Sequence, residues 1–127
     1  MNPSLEHQTL VRALINHFVQ KLGFTIIAAD FPGYTIPPKY NRHSPDIVAK
    51  DQFGILHFGE AKVSDQIFSE DSKEQFVDFS NRVMVSNGRA ITLHIVVYKT
   101  GEEILMNTLR EMGLNYKVNS RIKIWTL

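Results

Sequence analysis

The sequence predicts an α/β domain: a central mixed sheet flanked by helices, with elements in the order αβββαβαβ. Three observations lead there. Stretches with helical apolar spacing alternate with short β-branched apolar runs. Two central runs are separated only by Gln52-Phe53-Gly54, a glycine-containing hairpin loop. Helical and extended stretches are interleaved along the chain, which suits one layered α/β or α+β unit.

Helix one is expected over Ser4–Leu22, with Pro3 just ahead, Ser4 as cap, and Leu10, Leu14, Phe18 and Leu22 at every fourth position. Gly23 follows, where a helix C-terminal glycine belongs. Phe24–Ala29 is apolar and β-branched and reads as a strand. Asp30–Pro45 carries Pro32, Gly33, Pro37, Pro38 and Pro45 and reads as a loop, long enough to suggest a role. Asp46–Asp51 and Ile55–Val63 form the hairpin. Helix two is expected over Asp71–Ser86, capped by Ser69, with Phe76, Phe79, Ser80, Val83 and Met84 inward and Asn87-Gly88 ending it. Ile91–Thr100 reads as a buried strand. Helix three covers Glu102–Met112 and stops at Gly113, and Tyr116–Trp125 is a terminal strand or small hairpin turning at Asn119-Ser120.

At 127 residues and 43% hydrophobic, the chain suits one domain, residues 1–127, with a real core. The lack of cysteine excludes disulfides and thiolate metal sites, which suits a reducing cytoplasm. The opening MNPSLEHQTL has no export-signal pattern. No apolar run reaches the ~20 residues of a membrane span; the longest, Ile91–Tyr98, contains His94. A cytoplasmic protein without a membrane partner is therefore expected. Net charge is only +1, so any contact with phosphates must come from a local patch or a bound metal.

The informative segment is Ser44–Val63, SPDIVAKDQFGILHFGEAKV. Side chains alternate along a strand. Leu56, Phe58, Glu60 and Lys62 share one face, and Ile55, His57, Gly59, Ala61 and Val63 the other. Glu60 and Lys62 thus continue an apolar row. Closing the hairpin on a three-residue loop sets Asp51 opposite Ile55, Val48 opposite Phe58, and Asp46 opposite Glu60. Opposed like charges destabilise a sheet unless something offsets them, and a divalent cation does so directly. Carboxylate oxygens, water and substrate phosphate make up the usual Mg²⁺ shell. The Ala61 carbonyl lies between the two acids and can supply a further oxygen. Lys62 can orient an attacking water or neutralise charge on phosphorus. No serine or cysteine nucleophile with a paired histidine is visible, and the five histidines lack metal-ligand spacing.

Pro45-Asp46, thirteen intervening residues, and Glu60-Ala61-Lys62 at the end of the next strand resemble the PD-(D/E)XK nuclease superfamily, which includes restriction endonucleases, Holliday-junction resolvases and phage exonucleases. The order αβββαβ from Ser4 to Thr100 is similar to its common core, with an extra C-terminal helix and strand here. The resemblance covers about 100 of the 127 residues, but rests on four or five positions. It implies a restriction-endonuclease-like fold and phosphodiester hydrolysis dependent on Mg²⁺ or Mn²⁺, with DNA the expected substrate. Asp46 and Glu60 would be metal ligands and Lys62 the catalytic lysine. Some branches place a glutamine four residues before a tyrosine in the following helix. Gln75 matches, but Phe79 lacks the hydroxyl. Many members have a metal-binding glutamate on helix one. Glu6 is the only acid there and lies early, seventeen residues before Gly23.

Each residue also has a plainer reading. Asp46 can cap the turn after Pro45, Glu60 and Lys62 can form a solvated edge, Gln75 can be a surface residue, and Glu6 can serve the helix dipole. Lys39, Arg42 and His43, with Tyr40, can track a nucleic-acid backbone or form a solvated loop. His57 falls on the face opposite Glu60, and His94 suits a satisfied core position. The competing functional reading is a non-catalytic nucleic-acid-binding or assembly module that keeps the nuclease fold; a third is an interaction domain with incidental acids. Sequence specificity, if any, is expected from a homodimer or partner protein, because no added recognition module is visible.

Overall fold

The computed structural model describes residues 3–127, with side chains from residue 5 onward; the expected Ser4 cap lies outside the described side chains. The architecture is α/β, with a five-stranded open mixed sheet in the order β1-β2-β3-β4-β5. The strands are β1 (Thr25–Ala29), β2 (Ile47–Lys50), β3 (Leu56–Ala61), β4 (Thr92–Val97) and β5 (Ile122–Thr126). The helices are α1 (Pro3–Asn16), α2 (Glu70–Ser80) and α3 (Glu102–Glu111). β1, β2 and β3 form an antiparallel meander, while β4 and β5 add in parallel. Among the described residues, no helix is long and apolar enough to cross a membrane.

Strand parity sorts the core into two clusters, one on each face. Leu10, Val11, Leu14, Ile15 and Phe18 pack from the first helical segment onto Ile47, Ala49, Ala61 and Val96. Phe76 and Phe79 of α2 and Leu105 and Leu109 of α3 pack onto Val48, Phe58, Leu93, Ile95 and Val97. The alternation of β2, with Ile47 and Ala49 on one side and Val48 on the other, follows from the two-residue strand period. Gly59 lets α1 approach the sheet: a Cβ there would meet Leu14 Cδ2 at 2.9 Å and Ile47 Cβ at 3.1 Å.

The hairpin closes as expected. The Asp51 amide donates to the Ile55 carbonyl at 2.9 Å, and Asp51 Oδ1 accepts from the Phe53 and Ile55 amides. Gly54 takes φ +81°, which a side chain would disfavour. Val48 pairs with Phe58 and Ile47 with Gly59. β1 holds an unexpected bulge. Ile26 pairs with Ala49 but Ala28 pairs with Val48, so Ile27 is an extra residue.

Several boundaries differ from the expectation. Helix one changes after Asn16 into a π turn, His17–Lys21, and the Phe24 amide reaches back to the Phe18 carbonyl at 2.8 Å. Helix two starts one residue early, with Ser69 accepting from the Ser72 amide as the expected cap, but stops at Ser80 rather than Ser86. There Lys117 Nζ donates to the Ser80 carbonyl at 3.5 Å and Asn81 Oδ1 at 2.6 Å, a cation at the negative end of the helix. Val83 pairs with Ala90, so Asn87-Gly88 turns this small bridge instead of ending the helix. Val83 is consequently half exposed, not part of the inner stripe. The expected strand Ile91–Thr100 is shorter, because Lys99–Gly101 forms a 3-10 turn into α3. Tyr116 and Lys117 belong to another 3-10 turn ahead of β5.

Candidate functional site

The meander brings three acids to one end of the sheet. The β2–β3 register, continued by one pair beyond Ile47 and Gly59, sets Asp46 opposite Glu60. The bulge in β1 shifts the next pairing by one, so Asp30 follows Ala29 into a place opposite Asp46. The Asp30 amide donates to the Asp46 carbonyl at 2.8 Å, and the Asp46 amide donates to Glu60 Oε1 at 3.0 Å. Asp46 Oδ2 accepts from the Ala61 amide at 2.9 Å. The N–H and C=O of one strand residue point the same way, so the Ala61 carbonyl lies on Asp46's side of β3.

Glu60 is buried, with 2% of its surface exposed, and its Oε2 lies 3.4 Å from Lys62 Nζ. Burial holds the Glu60 carboxyl well above the usual carboxylate range; the negative charge of Asp46 pushes the same way, and Lys62 opposes both. Lys62 is itself buried and donates to Gln75 Oε1 on α2. Its amide bonds the Val96 carbonyl at 3.1 Å, which prolongs the β3–β4 ladder and fixes the lysine's stem. Asp46, Glu60, Lys62 and Gln75 are thus joined in one hydrogen-bonded and ionic series.

A second set converges on Asp46 from the other side. His7 Nε2 of α1 lies 3.0 Å from Asp46 Oδ2, and that contact raises the His7 pKa above its ordinary value against the opposing effect of burial. One ligand atom each from His7, Asp30 and Asp46 lies within 4.8 Å of the others, close enough for one metal ion. Imidazole and carboxylate together admit Mn²⁺ and its later neighbours as well as Mg²⁺. Glu60 lies outside this group, with its oxygens on the Asp46 amide and Lys62; a divalent cation would offset the charge of Asp30 and Asp46 directly.

The other expected residues fall elsewhere. Glu6 accepts a hydrogen bond from Tyr98 through its backbone carbonyl, and its carboxylate is not part of the group around Asp46. Arg42 and His43 both contact Glu74 Oε1 of α2 at 3.0 Å, which fastens the second half of the long loop to the helix. Lys39 is exposed and forms no ion pair among the described residues. His57 stands on the α1 face, bonded to Asp51 and His94.

Sequence reasoning passed over His7 and Asp30. His7 had a readable signal: it continues the stripe of Leu10, Val11 and Leu14 at helical spacing. A polar residue prolonging an apolar stripe is the same clue that singled out Glu60 and Lys62. Asp30 had none, because its place depends on the bulge.

Comparison of the chain with family models, curated proteins and solved structures returns no match.

Proposed function

We propose that the protein is a metal-dependent nuclease that hydrolyses phosphodiester bonds, with DNA as its first expected substrate. The supporting observation is the series Asp46–Glu60–Lys62–Gln75, which couples a carboxylate cluster to a buried lysine at the end of the meander. The α1-β1-β2-β3-α2-β4 order and the parallel addition of β4 agree with the restriction-endonuclease-like core that the resemblance implies.

In this reading Asp46 and Glu60 would hold an Mg²⁺ or Mn²⁺ ion, with the Ala61 carbonyl as a further oxygen donor; His7 and Asp30 group with Asp46 and would add donors on that side. When bound, such an ion polarises a phosphate and lowers the pKa of a coordinated water. A cation would favour the charged form of Glu60, whose buried carboxylate is offset by Lys62 and the Asp46 amide but opposed by burial and the Asp46 charge. Gln75 restrains the Lys62 ammonium through its side-chain oxygen and leaves other N–H groups to point at a phosphate oxygen or attacking water. The backbone amides bonded to Asp46 and Glu60 fix both carboxylates before substrate arrives, which limits reorganisation during the reaction.

A panel of single-stranded, duplex and branched DNA and of RNA, each incubated with Mg²⁺ or Mn²⁺, tests this reading. Wild type should release products, and Asp46→Ala should release none. Lys62→Ala should fall by about 10²–10³-fold, the usual loss on removing one group that stabilises developing charge, and Lys62→Arg should recover part of it. Circular dichroism checks that each variant folds. Cleavage by Asp46→Ala and Lys62→Ala at the wild-type rate would sink the assignment.

A further inference from the structure

The exposed side of α1 and the first turn of the long loop enclose a groove that leads away from Asp30. Phe31-Pro32-Gly33-Tyr34 has the pattern of a type II turn, with proline second and glycine third. Gly33 takes φ +94°, and the Tyr34 amide donates to the Phe31 carbonyl at 3.2 Å. The Ala29 amide closes the loop onto the Thr35 carbonyl at 2.9 Å, and Gln8 Nε2 ties α1 to the Asp30 carbonyl at 3.1 Å. The turn is therefore held rigidly against the helix, with Tyr34 41% exposed.

Two hollows of about 460 and 540 Å³ adjoin here and share Gln8, Phe31 and Pro32. The first also contains Asp30 and Tyr34; the second runs beneath Arg12 and Asn16. Gln8, Arg12 and Asn16 follow one another at four-residue spacing, so their polar ends form a row along one wall. Arg12 is exposed and forms no ion pair among the described residues. One wall thus offers a guanidinium and two amides; the other begins at Asp30, which groups with Asp46, and continues through Phe31, partly packed on the α1-face core, to the exposed ring of Tyr34.

We propose that this groove binds a single-stranded polynucleotide leading to or from the metal centre. Arg12 holds a backbone phosphate, Gln8 and Asn16 contact phosphate or base edges, and Phe31 and Tyr34 supply ring faces for stacking. An arginine for the backbone beside ring faces for the bases is chemistry suited to unpaired strands, whereas a stacked duplex hides its base faces. The inference rests on the nuclease reading and specifies its substrate as one with an unpaired segment.

The test measures fluorescence anisotropy of a labelled single-stranded DNA, the equivalent RNA and a blunt hairpin duplex, all in Ca²⁺ to hold cleavage back. Wild type should bind the single strands more tightly than the duplex. Tyr34→Ala and Arg12→Ala should each weaken single-strand binding by about tenfold, within the range for losing one stacked base. Arg12→Ala should also flatten the salt dependence by about 0.7, the slope of one phosphate contact on a single strand. Equal affinity for DNA and RNA would identify backbone and ring faces as what is read; a difference would point to the 2′-hydroxyl. Variants binding within twofold of wild type, or a duplex bound as tightly as the single strands, would overturn the proposal. Product formation in Mg²⁺ separates the two readings. Cleavage with unchanged binding by the variants rejects the groove alone; binding through Arg12 and Tyr34 without any product rejects the nuclease alone.

Discussion

Glu60 carries a cost that a purely structural residue would not. Its folded-state pKa is raised, chiefly by burial, so the native protein binds its proton more tightly than the unfolded chain does. Stability from this group is therefore present at low pH and falls as pH climbs from about 4.5 through the raised value. Glu60→Gln should raise the Tm of metal-free protein at pH 8, leave it nearly unchanged at pH 4, and abolish cleavage. A lower Tm for Glu60→Gln at pH 8 would show that the carboxylate is instead well compensated. Much of this cluster is legible in the sequence. The two-residue strand period and a three-residue loop suffice to place Asp46 opposite Glu60, with Lys62 on the Glu60 face. The partnership of Lys62 with Gln75 depends on how α2 lies over the sheet, which spacing does not fix. His7 and Asp30 depend on helix packing and on the bulge at Ile27.

At the scale of elements, the sheet is gripped on its α1 face by a chain of rings. Trp125 Nε1 donates to His94 Nδ1 at 2.9 Å, His94 Nε2 lies 2.9 Å from His57 Nδ1, and His57 Nε2 lies 3.0 Å from Asp51 Oδ2. Indole can only donate and carboxylate can only accept, so the chain is satisfied when both histidines are neutral and carry their proton on Nε2. Burial, followed by His57, Lys123 and His17, lowers His94 to about 3. A histidine with a depressed folded pKa stabilises above its unfolded value of about 6.5, and that stability is lost as pH falls toward about 3. Urea unfolding between pH 7 and pH 4 should show stability dropping at up to ~1.4 kcal/mol per pH unit from this group. The slope should be shallower in His94→Gln, and an identical slope would remove His94 from the account. The α1 packing makes a second demand at Gly59. Gly59→Ala should destabilise by about 1–3 kcal/mol through overpacking against Leu14 and Ile47, read as a lower urea midpoint. Element types were legible here, but ends were less so. Val83 and Met84 keep the helical rhythm of α2, yet Asn81 and the Val83–Ala90 bridge end it early.

The whole molecule carries almost no net charge, so the proposed polynucleotide binding would have to be concentrated at one place. The order of elements supplies that place. A meander of three strands aligns Asp30, Asp46 and Glu60 at one end, and α1 and α2 bring His7 and Gln75 to the same end from opposite faces. A ligand that binds only the folded state raises its stability in proportion to the logarithm of concentration over Kd. Mn²⁺ should therefore raise the Tm of wild type, and by more than Mg²⁺ does, because an imidazole joins the carboxylates. The most direct measurement is calorimetric titration of Mn²⁺ and Mg²⁺ into wild type, Asp46→Asn and Glu60→Gln. The account predicts one saturable site in wild type that vanishes in Asp46→Asn and weakens at least tenfold in Glu60→Gln. Asp46→Asn taking up Mn²⁺ as tightly as wild type would contradict it.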